Sequence, residues 1–250
     1  MYRSYFIAFL LLNGLNLFAI NYEELSQDFL YAVRVEDDHS SIALQLSQAK
    51  ESDLVNSLNS EAKKKAFWLN IYNAFIQIKA KAYPGIIQES RNDFFTNSWI
   101  KIAGYDMSFD DIEHGMLRNS QWKYGMGYIG AWFPREFEKS LRVNEIDYRI
   151  HFALNCGAAG CPPIAFYSAD KLDEQLDIAT QGFMELNTLY NRIKNTVEVS
   201  KILSWFKGDF GGNSGILDLL KSTNLVEQES NPKLLFKEYD WTLSIGNYIE

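Results

Sequence analysis

The stretch EAKKKAFWLNIYNAFIQIKAKA, residues 61–82, restricts the possible folds of this chain more than any other segment. Phe67, Ile71, Ala74 and Ile78 recur at steps of four, three and four, which lays one apolar stripe along a helix. Pro84-Gly85 ends it. Residues 22–35 carry Leu25, Phe29 and Ala32 at helical spacing, and Ser40 and Ser41 precede a further helical run. Residues 171–186 form another amphipathic helix through Leu172, Leu176, Ala179 and Phe183. Short strands are expected at 99–103, 196–199 and 234–236. Gly104-Tyr105-Asp106 supplies a turn, and Asp110 or Asp111 caps a helix running to Leu117. Residues 200–212, SKILSWFKGDFGG, read as a helix ending at Gly208 or Gly211, with a mobile lid as the alternative. No internal repeat or Pro/Ser-rich linker divides the chain. The pattern predicts one α+β domain, helix-rich with a small, mostly antiparallel sheet.

The first twenty residues stand apart. Arg3 is followed by an apolar stretch from Tyr5 to about Ala19, interrupted by Asn13, Gly14 and Asn16, with no acidic residue before Glu23. That is the pattern of a secretory signal peptide, and it is too broken for a membrane span. The expectation is a signal peptide over 1–20, a helical region over 21–59 and the main domain over 60–250. It implies an exported protein, periplasmic or extracellular, with no membrane association after cleavage. With 24 Lys+Arg against 32 Asp+Glu, the formal charge of −8 argues against nucleic acid as a partner.

Both cysteines lie in DYRIHFALNCGAAGCPPI, residues 147–164, together with one of the three histidines. An apolar run enters the small-residue loop Gly157-Ala158-Ala159-Gly160, where little side-chain bulk would keep backbone N–H groups from a ligand. Three chemistries fit. Cys156 is a nucleophile served by a histidine base; or Cys156 and Cys161 form a disulfide, as export permits; or the two cysteines join His151 and His114 around a metal. The third is weakest, because Cys-x4-Cys is wider than the usual zinc spacing, so neither metal nor cofactor is expected. His151 and Cys156 are five apart and meet only if the chain bends near Asn155-Cys156-Gly157. His114 is the other candidate base, with Glu113 and Arg118 within about one helical turn. Asn70 and Asn73, three apart at the edge of the long stripe, can tether a buried loop or orient a histidine. Asp240 is a candidate partner for a histidine or for Arg118.

These segments also carry a resemblance. AFWLNIYNAF (66–75), DDIEHGMLR (110–118), RIHFALNCGAAGCPPI (149–164) and YDWTLS (239–244) make the chain resemble the domain-of-unknown-function 547 family, from about residue 60 to the C-terminus. A further similarity to papain- and transglutaminase-like thiol enzymes implies Cys156 as nucleophile and His151 or His114 as base. Asn155, Asn70 or Glu113 would be the supporting group. The order is rearranged, since no histidine follows Cys156. Gly157 and Ala158 would then offer N–H groups to an oxyanion, with Asn70, Asn73 and Arg118 around the substrate. The expected function is a thiol hydrolase or acyltransferase acting on peptide or cell-envelope amides. The alternative is a non-catalytic binding module stapled by Cys156–Cys161, using some of Trp68, Trp99, Trp122, Trp132, Trp205 and Trp241 as aromatic surface.

Overall fold

The computed structural model describes residues 20–249, so the signal peptide expected over 1–20 lies, Ile20 apart, outside the described residues. Four helices come first: α1 (Tyr22–Arg34), α2 (Ser40–Gln48), α3 (Glu51–Ser57) and α4 (Glu61–Ala82). Short helices α5 (Ile86–Glu89) and α6 (Arg91–Thr96) lead into the hairpin of β1 (Ile100–Ile102) and β2 (Tyr105–Met107). A π-helical segment, Asp111–Leu117, precedes α7 (Glu136–Leu141) and a 3-10 segment, Tyr148–Phe152. Then come α8 (Leu172–Asn187), β3 (Leu189–Asn191), β4 (Thr196–Val199), α9 (Ile202–Trp205), α10 (Gly212–Ser222) and β5 (Lys233–Phe236). The fold is α+β, as the pattern predicts, with the strands in two small sheets.

Helix α4 is the axis. Ser60 caps it by accepting the Lys63 N–H at 3.3 Å, and Lys79 and Lys81 lie at the negative end of its dipole. The stripe read from sequence is narrower than the surface actually covered: every residue from Ala66 to Gln77 is buried. Helix α1 packs along α4, and the π-helical segment packs against it too. Polar side chains on a helix enclosed in this way need internal partners. Trp68 donates its indole N–H to Leu141 O at 3.1 Å, and Asn70 pairs with both backbone groups of Tyr167.

The β1–β2 hairpin turns at Ala103 and Gly104, one residue earlier than expected. Both have positive φ, 51° and 81°, as a tight two-residue hairpin turn requires. The second sheet runs β3-β4-β5, with β3–β4 antiparallel and β4–β5 parallel. A parallel neighbour needs a crossover, and α9 and α10 provide it. The helix expected to end at Gly208 or Gly211 stops at Trp205; the chain then turns, and Gly211 (φ +75°) stands at the N-cap of α10.

Two hydrophobic clusters result. One surrounds α4; the other fills the space between α8, α10 and the second sheet. The 3-10 segment joins them, with Ile150 in the first and Phe152 in the second. His151 therefore sits at the seam. Replacing Asn70 with alanine leaves the Tyr167 N–H and C=O unpaired in a buried place, and a loss of about 3 kcal/mol in denaturant-monitored unfolding is the expected outcome.

Candidate functional site

A row of amides on α4 fixes the cysteine loop. Asn73 donates to Ala153 O at 3.0 Å and accepts the Asn155 N–H at 2.9 Å. One turn on, Gln77 donates to Asn155 Oδ1 at 3.3 Å and accepts the Gly246 N–H at 2.7 Å. Asn155 completes the brace, donating to Pro162 O at 2.8 Å and accepting the Gly157 N–H at 2.9 Å. Asn70, Asn73 and Asn155 are almost wholly buried with their amide groups committed to backbone. Asn73 and Asn155 hold the loop and Asn70 holds the Tyr167 backbone, where the sequence had led us to expect Asn70 and Asn73 around a substrate and Asn155 as a catalytic support.

The small residues of the loop serve a neighbouring segment of the same chain. Ala159 N–H donates to Thr242 O at 2.8 Å, Gly160 N–H to Asp240 O at 2.9 Å, and Ser244 N–H to Gly157 O at 2.9 Å. A Cβ on Gly160 would stand 3.1 Å from the Tyr239 ring and 3.2 Å from Asp240 O, so a side chain there would press the strap from Tyr239 to Ser244 back by a few tenths of an ångström. Ala158 N–H points at Cys161 Sγ, 3.3 Å away. The donors expected at Gly157 and Ala158 for an oxyanion are thus already bonded internally. Cys156 and Cys161 are joined as a disulfide across this loop, with Cα atoms 5.9 Å apart. The Tyr239 hydroxyl lies 3.1 Å from Cys156 Sγ and 3.2 Å from Cys161 Sγ.

A second assembly centres on Asp209, which lies in the segment expected as a helix end or, alternatively, a lid. Its carboxylate accepts two bonds from Arg118, Nε at 2.6 Å and Nη2 at 3.0 Å, and one from His151 Nε2 at 2.7 Å. Both the Arg118 and Asp209 side chains are 0% exposed. Arg118 Nη1 also reaches His114 Nδ1 at 2.8 Å. A guanidinium only donates, so His114 Nδ1 is the acceptor and its proton sits on Nε2. By the same reasoning His151 donates from Nε2 to the carboxylate, and its Nδ1 carries the lone pair. The His151 ring stacks on Phe206 with centroids 3.9 Å apart, and Arg118 lies over the same ring. Two glycines let this corner close. Gly208 N–H meets Met126 O at 2.7 Å, and a Cβ on Gly127 would fall 2.0 Å from Asp209 Oδ1. Asp240, the expected partner of a histidine or of Arg118, is exposed and instead accepts the N–H of Thr242 at 2.9 Å. Arg118, expected at the substrate, is sealed behind this assembly.

The two assemblies share a cleft of about 990 Å3 whose walls include Glu113, His114, His151, Cys156, Tyr239 and Trp241. The expected bend at Asn155 therefore puts His151 and Cys156 on one cavity. Burial lowers the pKa values of both imidazoles, most strongly at His114, and the Arg118 charge adds to the effect at each, which favours their neutral forms. Burial alone would raise the Asp209 carboxyl, but hydrogen bonds and charge from His151 and Arg118 hold it at about 2. Glu113 goes the other way: burial pushes its carboxyl up to about 7 against the pull of Arg118, with the Tyr72 hydroxyl 3.4 Å away. Of the tryptophans, Trp68 is core, Trp122 and Trp132 are 48% and 83% exposed, and Trp205 and Trp241 flank Tyr239 at the cleft. Among the described residues, no group of three or more His, Cys, Asp or Glu is placed to hold a metal ion, and no helix is long and apolar enough to cross a membrane.

Asp209→Asn leaves the Arg118 charge buried without its counterion; an unfolding free energy lower by about 3–5 kcal/mol is expected. Glu113 sets a pH dependence of opposite sign to a salt-bridged acid. Its folded pKa lies above the unfolded value of about 4.3, so the stability it contributes is fully present below pH ~4 and is lost as pH rises through about 7. In Glu113→Gln, the fall in melting temperature between pH 5 and 8 should flatten.

Comparison with known proteins gives a family and nothing beyond it. No curated protein and no solved structure matches the chain. The family model described as "Protein of unknown function, DUF547" matches residues 55–184, which takes in the amides of α4, the π-helical segment and the cysteine loop, while Asp209 and the Tyr239–Ser244 strap lie outside the match. On that match, spanning more than half its length, the chain belongs to the DUF547 family of proteins.

Proposed function

We propose that this chain is an exported thiol hydrolase or acyltransferase that works on peptide or cell-envelope amides in the cleft, with Cys156 as nucleophile. The observation that carries the reading is the Asp209-oriented imidazole of His151 on the same cleft as the Cys156 sulfur. A nucleophile needs a base whose tautomer is fixed by a third group, and Asp209 fixes that of His151.

The active form has the Cys156–Cys161 bond opened. His151 Nδ1 takes the proton from the Cys156 thiol, and the thiolate adds to the amide carbonyl. The imidazolium formed is stabilised by Asp209 and returns its proton to the leaving amine. Water or a second amine then accepts the acyl group from the sulfur. With the loop N–H groups bonded internally, the Tyr239 hydroxyl beside the sulfur is the donor for the oxyanion. Burial raises its pKa, so it stays protonated at neutral pH.

One observation favours a second reading, a binding module that uses the aromatic group of Trp205, Tyr239 and Trp241. It is the disulfide itself, set in a loop whose N–H groups are all in use. Alkylation of the reduced protein separates the two without a known substrate. As a nucleophile, Cys156 should react with iodoacetamide with an apparent pKa well below the free-cysteine value of about 8.5, and His151→Ala should return it to that value. A profile in the ordinary range that His151→Ala leaves unmoved would discard the thiol enzyme and keep the binding module.

A further inference from the structure

The two sulfurs of the disulfide are not equivalent. Cys156 lines the cleft and is partly exposed, whereas Cys161 is 6% exposed and lies behind it. Cys161 Sγ accepts the N–H of Cys156 at 3.0 Å and that of Ala158 at 3.3 Å, and the Tyr239 hydroxyl reaches it at 3.2 Å. Among the described residues, Cys156 Sγ has only that same hydroxyl beside it. Two fixed amide dipoles directed at Cys161 alone, with a phenol within reach of both sulfurs, favour Cys161 as the anion, much as amide nests hold other anions. In exchange reactions the sulfur that leaves as the more stable thiolate leaves faster, and the one that can be reached is attacked.

We infer that the Cys156–Cys161 pair is a thiol–disulfide exchange centre whose substrate is an external thiol, with Cys156 as the entry sulfur and Cys161 as the leaving sulfur. An incoming thiolate RS− forms a bond to Cys156 Sγ as the Cys156–Cys161 bond breaks, and the electron pair departs on Cys161. The Tyr239 hydroxyl, which can donate to only one sulfur at a time, turns its proton to Cys161 as charge collects there. A second thiolate attacks the RS sulfur of the mixed disulfide, releasing RSSR and leaving Cys156 reduced. Two external thiols are oxidised and one protein disulfide is reduced, a balanced two-electron exchange. This rests on the proposed thiol chemistry in one respect: the sulfur it frees is the nucleophile assigned above.

The test uses the oxidised full chain and reduced glutathione, with acid quenching and fragment mass spectrometry to locate the mixed disulfide. Glutathione should be found on Cys156, and Tyr239→Phe should slow reduction roughly tenfold through loss of one hydrogen bond to a developing charge. Glutathione on Cys161, or shared equally, overturns the inference. So does a native disulfide that resists glutathione at a concentration sufficient for the unfolded chain. If Tyr239→Phe fails to fold, the location of glutathione on the wild-type protein decides alone. Selective exchange at Cys156 with alkylation insensitive to His151 keeps this inference and removes the acyl-transfer reading. Inert native disulfide with His151-dependent alkylation of the chemically reduced protein does the reverse.

Discussion

The buried carboxylate of Asp209 is the constraint around which the cleft is organised. It joins Arg118 and His151, which lie 91 and 58 residues before it in the chain. Removing a charged pair from water is costly, and the pairing recovers that cost only when the remaining hydrogen-bond capacity is filled. Here it is filled from both sides, because Arg118 also reaches His114 and the carboxylate also receives His151. The consequence is chemical as well as structural: each imidazole is held in a single tautomer, and the bare nitrogen of His151 is the one left for a proton.

The cysteine loop is held by a different principle. Carboxamides on α4 stand in for backbone partners, so Asn73 and Gln77 clamp the chain on the approach to Cys156 as a neighbouring strand would. From the other side the strap carrying Tyr239 uses the loop's remaining N–H groups. A loop saturated in this way is rigid, and the sulfurs it carries meet fixed dipoles. In the disulfide state those dipoles meet Cys161 and not Cys156.

Much of this was legible residue by residue. The α4 stripe, the strand at 196–199 and the helix from Leu172 follow from periodicity, because apolar side chains recur at the spacing of the element that buries them. Asn70 and Asn73 stood out at the edge of the apolar stripe, where an amide must find a partner. Their partners did not, since Tyr167 and Asn155 lie more than eighty positions away. Asp209 was missed as the histidine's partner for the same reason. Its local setting, between lysine, glycine and phenylalanine, reads as a turn, and the one signal that pointed to it was the glycine-rich spacing that permits the close crossing with Gly127.

By itself the sequence determined the helix-rich α+β class, the register of the long helix and the clustering of sulfur, histidine and small residues in one segment. Those follow from side-chain volume and period, which are local properties of a chain. Tertiary structure alone decided which groups face the cleft, which nitrogen of each histidine carries the proton, and that the loop's amides serve the chain itself. Those outcomes depend on desolvation and on donors brought from distant positions, and neither exists until the chain has closed on itself.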